Sequence, residues 1–168
     1  MRVDITGAKV DGSYESLCKT VGFVVLQFAH CEQSLECLVD ALFLRCGGRK
    51  LPGRNRIPSK LSEKIRFVRE CAEQIACLMQ FKDELIALAD DFDAVLETRH
   101  NVVHGAITGY VVNGVFTFVR LKAHPDKHTG TLSHFDLHKF QALEATLMKL
   151  GADAPRVAKR VTDAFPRQ

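Results

Sequence analysis

Residues 81–105 read FKDELIALADDFDAVLETRHNVVHG. Leu85, Leu88, Phe92, Val95, Leu96, Val102 and Val103 recur three and four positions apart, the stripe of a helix with one face in a core. Gly105 stands where a helix stop belongs, so a helix is expected from about Phe81 to His104. Arg99 falls inside the stripe, where a leucine would be expected. A permanent charge there is costly unless it is paired or reaches an opening. Two readings are open: an ion pair to a carboxylate of the first helix (Glu32 or Glu36), or a functional group.

Toward the N-terminus the same period recurs in Leu17, Val21, Val24, Phe28, Cys31, Leu35, Leu38 and Leu42, which predicts a helix from about Ser13 to Arg45, stopped by Gly47 and Gly48. The stretch GGRKLPGRNRIPS is a Pro/Gly-punctuated loop. Ser59 is expected to cap a second helix with Leu61, Ile65, Val68, Ala72, Ile75 and Leu78 on its buried side. After Gly105 the period changes. Ile107–Val112 and Val115–Leu121 flank Asn113-Gly114, the pair best suited to a type I′ turn, and predict a β-hairpin over about 107–121. The stretch KAHPDKHTGT reads as a polar loop, and Ser133-x-x-Asp136 as the capping-box-like start of a helix to about Leu150. Gly151 is expected to break the chain before a short last helix, about 153–165. The fold class expected is all-α: an antiparallel bundle of four to five helices in one domain (1–168), with one β-hairpin insertion after the third helix.

Composition narrows the class. The chain has 168 residues, 46% hydrophobic, enough for a real core, and a net charge of +3, too mild by itself to mark a nucleic-acid binder. No apolar run approaches the roughly 18–20 residues of a membrane span. The opening MRVDITGAKVDGSYE lacks the apolar stretch of a secretory signal, so a cytosolic location without membrane is expected. Six cysteines (Cys18, Cys31, Cys37, Cys46, Cys71 and Cys77) contain no CxxC pair. Reduced thiols on apolar stripes are expected, rather than a disulfide framework or zinc site. A collagen, a secreted knot and a disordered tail are excluded.

Charge is unevenly spread. From Arg45 to Arg69 nine Lys and Arg stand against Glu63 alone; from Lys82 to Glu97 six acids stand against Lys82. A basic side and an acidic side follow. The basic block reads either as a solvated loop and helix face or as a surface for phosphate.

The chemistry concentrates in Glu97-Thr98-Arg99-His100-Asn101-Val102-Val103-His104-Gly105. His104 lies about 140° and about 7.5 Å beyond Arg99 on an ideal helix, so the two do not stack on one line. They could still flank one groove if the helix frays at Gly105 or a second copy completes the site. His100 and His104, four apart, share a face; a histidine at a helix C-terminus is also simply a favourable partner for the dipole.

Arg99-x4-His104, with a polar residue straight after the arginine and glycine after the histidine, resembles the R-x(4–6)-H motif of the HEPN superfamily. The long first helix with LQFAHCEQSLECLVDALF and the helix opening KLSEKI after a basic loop agree with it. The family usually has asparagine directly after the arginine; here His100 holds that place and Asn101 follows. The resemblance implies a homodimer with two motifs in one cleft, and an endoribonuclease needing no metal and no cofactor. The systems implied are toxin–antitoxin, phage-defence or RNA-processing, with an antitoxin or nucleotidyltransferase as a possible partner. Carried over, His104 is general acid/base and Arg99 stabilises the scissile phosphate. His100 and Asn101 orient substrate or cap the helix, and Arg49, Lys50, Arg54, Arg56, Lys60 and Lys64 hold the RNA backbone. The residue types suit those tasks: imidazole exchanges protons near neutrality and guanidinium forks onto phosphate oxygens.

Two rivals stand beside this. Glu97-x-x-His100-x-x-x-His104, with Asp93 a turn earlier, is a metal-ligand spacing, but no second E-x-x-H accompanies it. A non-catalytic helical interaction module with a structural Arg99 is the other. His124, His128, His134 and His138 read as solvent-exposed, and His30 as a satisfied core histidine. Tyr110, Phe116 and Phe118 read as sheet packing rather than base-stacking faces.

Overall fold

The computed structural model describes residues 12–107, 115–124 and 127–166. Four α-helices dominate: α1 (Gly12–Leu44), α2 (Leu61–Gln74), α3 (Lys82–His104) and α4 (Leu137–Ala164). A six-residue 3-10 turn, Ala76–Phe81, joins α2 to α3. Between α3 and α4 lies an antiparallel sheet in the order β1 (Ala106–Ile107), β2 (Phe116–His124), β3 (Lys127–Phe135). The protein is a helical bundle with an antiparallel hairpin after its third helix, as the periodicities predict.

The buried stripes are those expected. Leu17, Val24, Phe28, Cys31, Leu35, Leu38 and Leu42 of α1 meet Ile65, Val68 and Ala72 of α2 and Leu85, Leu88, Phe92, Val95 and Val102 of α3 in one core. Phe28 and Phe92 pack edge to face with centroids 6.4 Å apart. Helix α3 runs against α4, because Asp91 meets Lys149 while Glu84, earlier in α3, meets Arg156 and Arg160, later in α4. Helices α1 and α4 run in one sense: Cys31 lies beside Leu147, and Arg45 beside Phe165.

Several boundaries differ from expectation, each for a local reason. Helix α2 begins after Lys60, which makes no side-chain cap, so Ser59 is not the cap. The polar stretch 122–131 is mostly strand: β2 takes its first residues to His124 and β3 runs from Lys127 to Phe135, with Phe116 opposite Phe135 and His124 opposite Lys127. Backbone pairing with β2 thus overrides a composition that reads as coil. The expected first hairpin survives as Ala106 and Ile107 opposite Val119 and Phe118. Its Asn113-Gly114 turn and Tyr110 lie outside the described residues. Asp136, not Ser133, caps α4, accepting the Lys139 amide at 2.8 Å.

Helix α4 also passes through Gly151 and carries Pro155 inside it, so the expected break does not occur. Leu143, Leu147, Leu150, Ala154, Val157 and Val161 are all buried, an unbroken three–four spacing across the glycine. That continuous burial outweighs the weak helix propensity of one glycine and one proline.

The sheet is bonded to the bundle by a phenylalanine cluster. Phe118 meets Phe135 at 5.4 Å, Phe135 meets Phe140 of α4 at 5.3 Å, and Phe116 meets Phe140 at 6.2 Å. No helix among the described residues is long and apolar enough to cross a membrane.

Candidate functional site

The last two turns of α3 carry the Arg99–His104 pair. Arg99 sits over the side of α1: its guanidinium carbon is 5.3 Å from the Phe28 ring centroid. Its Nη1 then reaches the Nε2 of His104 at 3.2 Å. The offset of about 140° between the two positions is closed by the length of the arginine arm, which lies along apolar surface and delivers its head sideways. Guanidinium has donors only, so in this contact the imidazole accepts through Nε2 and carries its proton on Nδ1. The ion pair considered for Arg99 is not made. Glu36 instead pairs with Lys64, and no carboxylate among the described residues lies within ion-pair distance of the Arg99 guanidinium.

Around this pair, His100 is half-buried and its ring lies 5.7 Å from that of His104, tilted by 30°. Asn101 is 6% exposed, with no hydrogen-bond partner at Oδ1. The Asn101 side chain is thus withdrawn from the surface. Gly105 leaves no room for a Cβ, which would collide with the Asn101 carbonyl and stand 3.1 Å from Cβ of Phe118. The sheet therefore closes directly against the end of the motif helix. Among the described residues, no three His, Cys, Asp or Glu side chains converge as a metal site would require.

The expected phosphate-binding block divides. Lys64 is buried along its length and pairs with the half-exposed Glu36. Arg54 donates to Glu70 from Nε at 2.9 Å and Nη2 at 2.5 Å, and lies over Phe67 at 5.5 Å. Neighbouring Arg69 is held by Asp90 at 2.6 Å and Asp93 at 2.5 Å, an arrangement that raises its affinity for its proton, Asp90 first. Lys60 approaches Glu63 at 3.9 Å. Arg49, Lys50 and Arg56 are exposed and make no ion pair among the described residues. Arg49 and Lys50 follow the end of α1, which lies sixteen residues past Phe28 and so about 24 Å along the helix from the Arg99 contact.

One further expectation shifts. His30 is exposed rather than a core residue and lies beside Gly151 of α4. His134 and His138 are exposed, His134 with its Nδ1 at 3.0 Å from Thr117 Oγ1. The side chains of His124 and His128 lie outside the described ones. Phe116 and Phe118 are buried as sheet packing. Of the six free cysteines only Cys31, Cys46 and Cys71 are buried. Burial pushes the Cys31 and Cys46 thiols up to about 11 and Cys71 up to about 12.

One residue escaped the sequence reading: Arg120, which β2 brings to the end of the motif helix. Its signal was an absence, since residues 98–125 contain neither Asp nor Glu. A groove of about 840 Å³ lies elsewhere, between Cys37, Asp40, Arg45, Thr162, Asp163 and Pro166. It is shallow and joins no acid–base pair to a phosphate-binding cation, so chemistry rather than concavity selects the Arg99–His104 end. Comparison with protein-family models, curated proteins and solved structures finds no match to this chain.

Proposed function

We propose that the chain is a HEPN-like, metal-independent endoribonuclease in which Arg99 and His104 act together on a phosphodiester. One observation carries this reading: a guanidinium with no carboxylate partner among the described residues, set in an apolar stripe and bonded to the acceptor nitrogen of an exposed histidine. An unneutralised arginine on that face is suited to an anion, and phosphate accepts its fork on two oxygens. An incoming phosphate competes for the guanidinium and draws it off the imidazole. The freed Nε2 takes the proton of the ribose 2′-hydroxyl, and the 2′-oxygen attacks phosphorus. Arg99 donates to the non-bridging oxygens as charge builds there. The bond from phosphorus to the 5′-oxygen breaks, and that oxygen takes up a proton, from the second copy's imidazole in a homodimer. The products are a 2′,3′-cyclic phosphate and a 5′-hydroxyl. DNA, lacking the 2′-hydroxyl, is not cut. The reading includes RNA as partner and a cytoplasmic location; an antitoxin or nucleotidyltransferase partner belongs to its toxin form.

The test is purified protein with RNA in EDTA. Cleavage leaving cyclic phosphate ends, lost in His104→Ala with the melting temperature unchanged, is the result expected. Cleavage only with added Mn²⁺ or Fe²⁺, or none at all, overturns it.

A non-catalytic interaction module is the second reading, favoured by the way Phe28 and His104 already satisfy the guanidinium. On that reading Arg99→Ala lowers the melting temperature sharply and leaves every RNA property unchanged.

A further inference from the structure

The sheet begins where the motif helix ends. Ala106 pairs with Val119, so continuing the register by one position sets Arg120 opposite Gly105, next to His104. Arg120 also shares a face of β2 with Phe118, whose Cβ lies at Gly105. Two residues along a strand span about 6.8 Å. The Arg120 backbone therefore lies beside the last residue of the motif helix, a strand position or two from the point where Phe118 touches Gly105. It is half-buried and makes no ion pair among the described residues.

The strand pair goes on from there. Positions 122 and 124 share the face of position 120 by strand alternation, and position 127 pairs with 124. The sequence puts Lys122, His124 and Lys127 at those places. The basic loop after α1, by contrast, has Arg54 and Lys64 paired with Glu70 and Glu36, and it begins beyond an end of α1 that lies about 24 Å along the helix from Phe28.

We propose that Arg120 is a phosphate-binding residue of this site, and that the β2–β3 hairpin beyond it is the surface along which the backbone of a single-stranded RNA lies. The proposal rests on the nuclease reading for its choice of partner. Arg120 holds the phosphate next to the scissile one and the hairpin strands continue from it, so affinity depends steeply on salt and little on base identity.

The test separates binding from cleavage by using a fluorescent, uniformly 2′-O-methylated single-stranded RNA, which the 2′-hydroxyl route cannot cut. Anisotropy titrations run at several salt concentrations on the full chain, on Arg120→Gln and on Arg120→Lys. Arg120→Gln is expected to weaken binding about five- to tenfold at low salt and to flatten the salt slope by about 0.7, one single-strand phosphate contact. Arg120→Lys keeps most of the affinity, and both variants melt with the wild type. The proposal is overturned if wild type does not bind at low salt, or if Arg120→Gln binds within twofold of it. It is equally overturned if Arg49→Gln/Arg56→Gln weakens binding as much, or if phosphatidylserine vesicles bind as tightly as RNA and without regard to Arg120. Weakened binding by Arg120→Gln with no cleavage of unmodified RNA by wild type supports the surface and sinks the nuclease. Cleavage with an unchanged KM in Arg120→Gln does the reverse.

Discussion

Arg99 occupies a position that packing alone would give to leucine, and its neighbours compensate in part. The Phe28 ring and the His104 nitrogen receive the guanidinium, a contact with the ring worth about 0.5–1 kcal/mol where partly exposed. A residue retained for chemistry at the expense of packing leaves a measurable signature. Arg99→Leu is expected to melt at or a few degrees above the wild type while losing RNA cleavage; a large fall in melting temperature would mark the arginine as structural. The cysteines offer a second check at this scale. Buried thiols held at about 11 or 12 carry almost no thiolate at pH 8. Brief iodoacetamide treatment of the native protein should modify Cys18, Cys37 and Cys77, with Cys31, Cys46 and Cys71 labelled only after unfolding, as peptide mass mapping would read.

Among the elements, α4 departs furthest from its local sequence preferences. A Cβ placed on Gly151 would meet Gln27 Oε1 at 3.5 Å, Cys31 Sγ at 3.7 Å and His30 Cδ2 at 4.0 Å, all ordinary contacts. The glycine is therefore not required for close approach to α1, and its helical backbone suits alanine equally. Gly151→Ala should stabilise the protein by about 0.5–1 kcal/mol, which raises the melting temperature by roughly 1–4 °C for a chain of this size. A fall instead would show that the helix needs glycine freedom four residues before Pro155. Gly48 is the contrasting case, because a Cβ there would stand 2.6 Å from Phe67 and 2.8 Å from the Leu42 carbonyl.

For the whole molecule, the seam between α3 and α4 is held by charge. Across it Asp91 raises the pKa of Lys149, which Asp153 of the same helix raises further, while within α4 hydrogen bonding from Arg156, then Lys149, lowers that of Asp153. A carboxyl with a lowered folded value contributes stability above its ordinary 3.8, and the contribution is lost as pH falls through the folded value. A lysine with a raised value contributes fully below its ordinary 10.5 and loses this as pH rises through the folded value. The melting temperature should form a plateau at neutral pH, falling below about 4 and above about 10.5. Asp153→Asn should lower the plateau slightly and flatten the acid limb; an unchanged acid limb would show that the Asp153 pairs within α4 contribute nothing. These are exposed pairs, so molar salt should shrink both effects.

The helices, their buried stripes and the presence of a hairpin after the third helix are properties of period, and period is local: apolar residues three and four apart fix which face is buried whatever lies opposite. The Arg99 and His104 positions were legible for the same reason, as a charge inside a stripe and a histidine before a glycine. Partnership was not legible. Whether Lys64 meets RNA or Glu36, whether Asn101 faces a ligand or the interior, and whether residues 127–135 are loop or strand depend on groups distant in sequence. Only the tertiary structure could turn the arginine arm across α1 to the imidazole and bring Arg120 beside Gly105, because hydrogen bonds and ion pairs act over a few ångströms and carry no periodic trace in the chain.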